Sequence, residues 1–274
     1  MQCITDGMGH GKRMAINWAK YFDRIYCLFY CPYMDIKNRL EKELLRVRIL
    51  DSGIFEYCFT SPTRYDQIVQ DSFEDKTHIL REGWINESLA LERIMRQSLA
   101  LGYERILVLE DDCIFLRDLE EVKRIFDSAP LAEYDFIQYD SGLVPENTDM
   151  YFDLVNSKKI NMYFSDSSEV WFGMATCNSF NRNGMQLVID QIEKKPVVVD
   201  QLANYIKFKS AITIKRPCIQ IFDSKCQTGD GEWCHWPYWR AGVNYWDYNL
   251  PDAYCEANCK WIQAKTDKQK MAFA

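Results

Sequence analysis

Residues 105–112 read Arg-Ile-Leu-Val-Leu-Glu-Asp-Asp, and the rest of the chain is organised around them. The apolar run 106–109 is typical of a strand that is buried on both faces of a parallel sheet. It ends at three consecutive carboxylates, Glu110, Asp111 and Asp112. In open α/β sheets, ligands bind just beyond the carboxyl ends of the strands. Clustered carboxylate oxygens suit a hard divalent cation that also binds phosphate, so the stretch predicts a metal and phosphate site.

A structural interpretation of the same three acids stays open beside this one. They could form a solvated acidic turn that leads into a helix over residues 119–126. Asp118 and Glu121 stand at the spacing of a capping box for that helix. An acidic triplet by itself does not decide between the two interpretations.

Composition limits the class of protein. The chain has 274 residues, 47% of them hydrophobic, which is enough for one large domain over 1–274. The net charge of −7 and the isoelectric point of about 5.2 argue against nucleic acid or an anionic membrane as the main partner. No run reaches the roughly 20 apolar residues of a membrane span, and the start of the chain lacks a signal-peptide core. We therefore expect a cytoplasmic protein with no transmembrane segment.

Eleven cysteines are a high and odd number. Cys27, Cys58, Cys113 and Cys177 fall in apparent core strands, where free thiols behave as small hydrophobes. A later group leaves a structural zinc site open, although the chain has no Cys-x-x-Cys pair; its members are Cys218, Cys226, Cys234, His235, Cys255 and Cys259. Reduced thiols are the favoured interpretation.

Strand and helix patterns alternate along most of the chain. Gly102 predicts a C-terminal cap for the helix that precedes the acidic strand. Residues 66–82 and 144–166 show little periodicity and are predicted to be loops. The expected strands cover 24–30, 54–60, 106–109, 134–139, 170–177, 212–214 and 219–222, and the expected helices cover 12–21, 35–50, 84–101, 119–126, 183–194 and 201–208. This order predicts an α/β fold in one domain.

Several stretches resemble glycosyltransferase family 25, the lipopolysaccharide and collagen galactosyltransferases. Residues 88–112, with their Glu-Asp-Asp end, are similar to the family signature. The first strand with Arg39 resembles the donor-site segment, although Tyr30-Cys31-Pro32 replaces the usual Asn-Leu. Residues 178–184, Val199-Asp200 and residues 220–224 resemble later family segments. The Ser-His that commonly precedes the signature helix is missing.

The resemblance implies a GT-A fold, with a Rossmann-like mixed, mostly parallel sheet flanked by helices. Residues 22–140 would form the nucleotide-sugar half, and 141–274 the acceptor half with an aromatic C-terminal flap. The implied reaction moves a hexose from a UDP-sugar to a hydroxyl of a glycan or glycolipid, with inversion. The resemblance to galactosyltransferases implies that this hexose is galactose. Mn²⁺ or Mg²⁺ would be the cofactor, and a glycolipid acceptor would bring peripheral membrane contact.

The resemblance also assigns roles to individual residues. Glu110 and Asp112 would hold the metal, with His235 as a further ligand, and Glu110 and Asp111 would also line the donor site. Arg39 and Tyr30 would contact the nucleotide sugar, the arginine at the diphosphate.

Asp200 is the candidate general base, which would take the proton from the acceptor hydroxyl. A plain helix cap at Asp200 stays open, and Asp140, which follows the strand predicted over 134–139, is the next candidate base.

Two other functions stay open. A nucleotidyltransferase uses a similar sheet, but it would need a glycine-rich phosphate loop near the first strand, and Asp6-Gly7-Met8-Gly9-His10-Gly11-Lys12-Arg13 has the wrong spacing for one. A non-catalytic sugar-binding relative is the other alternative. The intact acidic triplet argues against it, because clustered unpaired acids are costly.

Overall fold

A seven-stranded mixed sheet lies at the centre of the part of the chain that the structure describes. The structure, a computed structural model, describes residues 16–29, 34–59, 82–140, 148–168, 176–194, 199, 202–220, 244–250 and 255. The strand order in the sheet is β2-β1-β3-β7-β5-β8-β6. These strands are β1 (Arg24–Phe29), β2 (Phe55–Phe59), β3 (Arg105–Glu110), β5 (Phe136–Gln138), β6 (Phe164–Asp166), β7 (Cys177–Asn181) and β8 (Ser210–Thr213).

The strand directions make the sheet mixed and mostly parallel, as the sequence predicts. β1 pairs in parallel with both β2 and β3, and β5 pairs in parallel with β8. β7 lies antiparallel between β3 and β5, and β6 is antiparallel to β8. All strands of this sheet except β6 and β7 therefore run in one direction, so the carboxyl ends of β1, β3 and β5 meet at the same edge.

Helices cover both faces of the sheet, because the strand residues point alternately to the two sides. Leu107 and Leu109 of β3 pack in one apolar cluster, while Ile106 and Val108 pack in another. The helices are α1 (Met34–Arg46), α2 (Glu82–Ala100), α3 (Leu119–Asp127), α4 (Thr148–Ser157), α5 (Arg182–Lys194) and α6 (Leu202–Tyr205). α1 and α3 contribute to the Leu109 cluster, and α2, α5 and α6 to the Val108 cluster. The α/β fold with helices on both sides of the sheet is confirmed.

A small ladder continues the central strand beyond the sheet. β4 (Cys113–Phe115) pairs antiparallel with β9 (Cys218–Gln220), so that Cys113 lies opposite Gln220. Residues 244–250 pack beside this ladder through a bridge between Leu116 and Tyr248. The ladder therefore holds the chain that leaves β3 in a fixed place.

Two glycines stand where the backbone requires them. Gly102 has φ +77°, and its N–H donates to the carbonyl of Leu99 at 3.1 Å, so it ends α2 as predicted. A Cβ on Gly184 would lie 2.3 Å from the carbonyl oxygen of Asp135. The N-terminal turn of α5 thus packs directly on the backbone that leads into β5, which only glycine permits.

The structure corrects two of the predicted segments near the start and the middle of the chain. Ile16 and Asn17 are not helical, and only a short 3₁₀ turn, Trp18–Lys20, follows them. The indole N–H of Trp18 donates to the carbonyl of Val47 at 2.7 Å, which anchors this segment in the core. The loop predicted over 144–166 is wrong, because it contains α4 and β6. The pattern there is weak because, over residues 152–157 of α4, only Leu154 and Val155 are buried.

Two predicted boundaries also change. Most of the strand predicted over 170–177 lies outside the described residues; the described strand, β7, covers Cys177–Asn181, continues past the predicted end and pairs with β3 and β5. The helix predicted over 201–208 is only the short α6 within the described residues. The predicted loop over 66–82 lies outside the described residues, except for Glu82, which begins α2.

All the cysteines in the described part of the chain are free thiols; they are Cys27, Cys58, Cys113, Cys177, Cys218 and Cys255. Cys113, Cys177 and Cys218 are buried within hydrogen-bonding reach of one another, and burial raises the pKa of each thiol well above its ordinary value. Protonated, buried thiols of this kind are unreactive. Among the described helices, none has the length and apolar character needed to cross a bilayer.

Candidate functional site

The acidic triplet begins at the carboxyl end of β3, where the strand lies between β1 and β7. Glu110 is the last residue of β3 and lies opposite Leu28 of β1. Because side chains alternate along a strand, Glu110 follows Val108 onto the face that α2 and α5 cover. Its side chain is partly exposed, whereas the strand before it is buried. This part of the metal-site prediction agrees with the structure in position: the triplet stands at the edge of the sheet where ligands bind in α/β folds.

Asp111 and Asp112 form the turn from β3 into β4. Asp111 is partly exposed, and Asp112 is buried, with 6% of its surface exposed. Burial raises the pKa of the Cys27 thiol in β1 well above its ordinary value, and the negative charges of Asp111, Asp112 and Glu110 raise it further. The field of all three acids therefore reaches the neighbouring strand. A bound cation at this turn would offset that concentration of negative charge.

Asp140 is brought to the same edge from β5. It is fully buried, and its Oδ2 accepts a hydrogen bond from the backbone N–H of Gln220 at 3.0 Å. Its Oδ1 lies 3.6 Å from Nε of the equally buried Arg216. Gln220 lies opposite Cys113 in the β4–β9 ladder, and Cys113 is the residue that follows Asp112. With Oδ2 hydrogen-bonded to the ladder and Oδ1 facing a buried guanidinium, Asp140 is placed to position the ladder behind the acidic turn, and it is poorly suited to take a proton from an acceptor.

The structure adds a polar strip that the sequence analysis missed. Thr176 lies across from Glu110, whose N–H donates to the carbonyl of Thr176 at 3.0 Å. Asn178 of β7 lies opposite Val108 on one side and Gln138 on the other. Both Thr176 and Asn178 are buried. For Asn178, the signal that could have found it is the polar composition of Cys-Asn-Ser-Phe-Asn, which is unusual for an interior strand.

The remaining predicted site residues are not all within the described part of the chain. Arg39 lies in α1 and is partly buried, one residue before Leu40 of the core. Its helix packs on the Leu109 face of the sheet, whereas Glu110 lies on the opposite face. Tyr30, Asp200 and His235 lie outside the described residues. The structure thus brings together Glu110, Asp111, Asp112 and Asp140, and it leaves the proposed roles of the other residues untested.

No group of three or more His, Cys, Asp or Glu side chains in the described ranges is arranged to hold a metal ion. The described residues therefore do not form a complete protein cage for a cation. A magnesium-type ion that travels with a diphosphate needs only one or two carboxylates, because phosphate and water supply its other ligands. Glu110 and Asp112 suit that kind of shared site by chemistry and position.

Comparisons with known proteins do not identify a family for this chain. No protein-family model matches it, and no curated protein matches it. Among solved structures, the chain is similar to one described as the crystal structure of A197 from STIV, with a TM-score of 0.37 and 11% sequence identity. That match covers 73% of this chain and 86% of the other chain. A similarity at this level carries no argument about function.

Proposed function

We propose that this chain is a metal-dependent glycosyltransferase that moves a hexose from a UDP-sugar to a hydroxyl of a glycan or glycolipid, with inversion. The resemblance to the family of galactosyltransferases favours galactose as that hexose. The observation that carries the proposal is the position of Glu110, Asp111 and Asp112, at the carboxyl end of a central strand in a mixed α/β sheet. The resemblance of the same stretch to glycosyltransferase family 25, and with it the GT-A assignment, belongs to this proposal.

The donor set at the triplet fits a Mn²⁺ or Mg²⁺ ion. Its donors are hard carboxylate oxygens, which these ions prefer. Asp112 is 6% exposed, and a buried carboxylate next to two others is stabilised by a cation. When bound, the ion would supply electrostatic stabilisation of the charge that develops on the departing UDP. Glu110 and Asp112 would hold it, and His235 is a proposed further ligand.

The chain's own residues would divide the remaining work. Arg39 and Tyr30 would contact the donor, and Asp111 would orient the acidic turn. Asp200 would accept the proton of the acceptor hydroxyl while that oxygen bonds to the anomeric carbon and the bond from this carbon to the UDP oxygen breaks. Attack from the side opposite to the leaving group inverts the anomeric centre. The burial of Asp140 and its contacts with the N–H of Gln220 and with Arg216 argue against Asp140 in this role.

A screen of UDP-sugars against the purified protein tests the proposal. We expect Mn²⁺ and one UDP-hexose together to raise the melting temperature of the protein. We also expect the protein to hydrolyse that donor slowly, and both effects should be lost when EDTA chelates the metal. Asp200→Asn should keep its melting temperature and UDP affinity but lose turnover by at least about a hundredfold if Asp200 is the base.

Two outcomes would contradict the proposal. Metal-independent binding of sugars without turnover would favour a sugar-binding relative. Condensation of a nucleoside triphosphate with a sugar phosphate, with release of diphosphate, would favour a nucleotidyltransferase. Near-normal turnover in a folded Asp200→Asn protein would remove only the assignment of the base.

A further inference from the structure

Two uncharged side-chain oxygens at the start of β7 are buried without a hydrogen-bond partner among the residues that the structure describes. They are the hydroxyl of Thr176, just before the strand, and the side-chain oxygen of Asn178. Thr176 is fully buried, and Asn178 is 4% exposed. A buried polar group without a partner is destabilising, and folded proteins satisfy nearly all such groups. Their presence close together in the interior of the sheet indicates that something outside the described residues satisfies them.

Their place in the sheet relates them to the acidic triplet. Thr176 lies across from Glu110, joined to it by the backbone hydrogen bond of 3.0 Å. Asn178 lies two residues further along the chain, opposite Val108, so its side chain is on the same face of the sheet as that of Thr176. Two residues along a strand span about 7 Å, which is comparable to the width of a hexose ring. The hydroxyl and the amide therefore form a short polar strip beside Glu110, on the face that α2 and α5 cover.

The chemistry of this strip differs from that of the triplet. A threonine hydroxyl and an asparagine amide can each donate and accept, and neither carries a charge. Such groups match sugar hydroxyls, which also donate and accept. A diphosphate bound through a cation at Glu110 and Asp112 would place its attached sugar close by, because the sugar is bonded directly to the diphosphate.

We propose that Thr176 and Asn178 bind hydroxyl groups of the hexose of the donor, so that this strip is the sugar-recognition part of the site. The inference rests on the proposed function, and it goes beyond that function by assigning specificity for the sugar to two residues at the start of β7. Without donor, neither the Thr176 hydroxyl nor the Asn178 side-chain oxygen makes a hydrogen bond to another residue in the described part of the chain.

Isosteric replacement separates this role from a structural one. Thr176→Val exchanges the hydroxyl for a methyl group of similar size, and Asn178→Leu removes the amide at similar volume. Thr213→Val is the matched control, because the Thr213 hydroxyl is also buried in the sheet but donates to the carbonyl of Tyr139 at 2.8 Å. Without ligand, we expect Thr176→Val to melt no lower than the parent protein, whereas Thr213→Val should melt lower because it loses a made hydrogen bond.

Calorimetric titration with Mn²⁺ present then tests the ligand contact, with UDP, UDP-galactose and UDP-glucose as probes. We expect Thr176→Val and Asn178→Leu each to weaken binding of the preferred UDP-hexose by about tenfold, the loss typical of one hydrogen bond. UDP affinity should stay within about twofold, and Thr213→Val should change neither affinity.

The outcomes distinguish the two levels of the argument. If the parent protein binds UDP and a UDP-hexose but both strip variants bind the hexose donor as tightly as the parent, the inference is overturned and the proposed function stands. An equal loss of UDP and UDP-hexose affinity also overturns it, because the strip would then act only through the acidic turn. If the parent protein binds none of the three probes, the proposed function fails, and the inference falls with it.

Discussion

Replacing Glu43 by glutamine should destabilise the protein strongly, because Glu43 joins three separate parts of the chain. It lies in α1 with 2% of its surface exposed. Its Oε1 accepts hydrogen bonds from the N–H of Phe115 at 2.8 Å and from Arg46 at 2.6 Å. Its Oε2 accepts from Arg46 and from the side-chain amide of Asn249, both at 2.9 Å. One carboxylate thus ties α1 to β4, the strand that follows the acidic turn, and to residues 244–250.

The magnitude follows from these contacts. The substituted amide would keep one acceptor oxygen, but its NH₂ group would face donors on Arg46 and Asn249. Removing one partner of a buried ion pair costs about 3–5 kcal/mol, and the 23% exposure of the Arg46 side chain reduces this to about 2–3 kcal/mol. For a chain of this size, a loss of that order lowers the melting temperature by about 5–10 °C.

Urea unfolding followed by circular dichroism measures the effect. Glu41→Gln is the control on the same helix, because the Glu41 side chain is 35% exposed and its contacts are long: it lies 3.7 Å from Lys37, and it accepts from the hydroxyl of Tyr57 at 3.4 Å. We expect the control to cost less than about 1 kcal/mol. If Glu43→Gln costs no more than Glu41→Gln, the reasoning about the buried carboxylate is refuted.

Three further predictions concern the fold. Hydrogen bonds from Lys123, and to a smaller extent from Lys20, hold the pKa of Asp127 below its ordinary value. The contribution of the Asp127 carboxylate to stability is therefore complete at neutral pH and is lost as the pH falls below about 4. Asp127→Asn should therefore lower the free energy of unfolding by up to about 1 kcal/mol at pH 7, and a difference that does not shrink between pH 4 and pH 2 would contradict this. Gly184→Ala should lower the melting temperature more than a surface substitution such as Ala100→Gly, because the added methyl group meets the backbone of Asp135 at 2.3 Å; an unchanged melting temperature would show that the contact relaxes freely. The third prediction concerns a variant that retains the six buried cysteines and has serine in place of the other five; the six are Cys27, Cys58, Cys113, Cys177, Cys218 and Cys255. A thiol reagent should modify these six only after the protein unfolds, and fast modification of the native protein would disprove their burial.

The sequence predicts the local features of this fold well where one physical signal dominates. The apolar run of β3 and its acidic end are unmistakable, and Asp118 caps α3 through its side chain, which accepts from the N–H groups of Glu120 and Glu121. Gly102 ends α2 with the positive φ that its position requires. Each of these features depends on residues within one or two turns of the chain, so the pattern alone is sufficient.

The missing features depend on contacts between distant segments. β7 carries polar residues and lacks alternation, and only its insertion between β3 and β5 explains why Asn178 is buried there. The ladder that brings Gln220 to Cys113 joins segments more than a hundred residues apart, and it places Asp140 behind the acidic turn. No local pattern contains that information, because pairing over such separations is decided by the whole sheet.

The most direct test of the central claim is calorimetric titration of UDP with Mn²⁺ into the parent protein and Asp112→Asn. The amide keeps the shape of the side chain but removes the charge that would hold the ion. Asp118→Asn is the matched control, because it makes the same exchange at a helix cap where Asn serves equally well. The account predicts Mn²⁺-dependent UDP binding in the parent protein and in Asp118→Asn, and its loss in a folded Asp112→Asn protein. Equal UDP affinity in all three proteins would contradict the assignment of the acidic turn as the metal and nucleotide site.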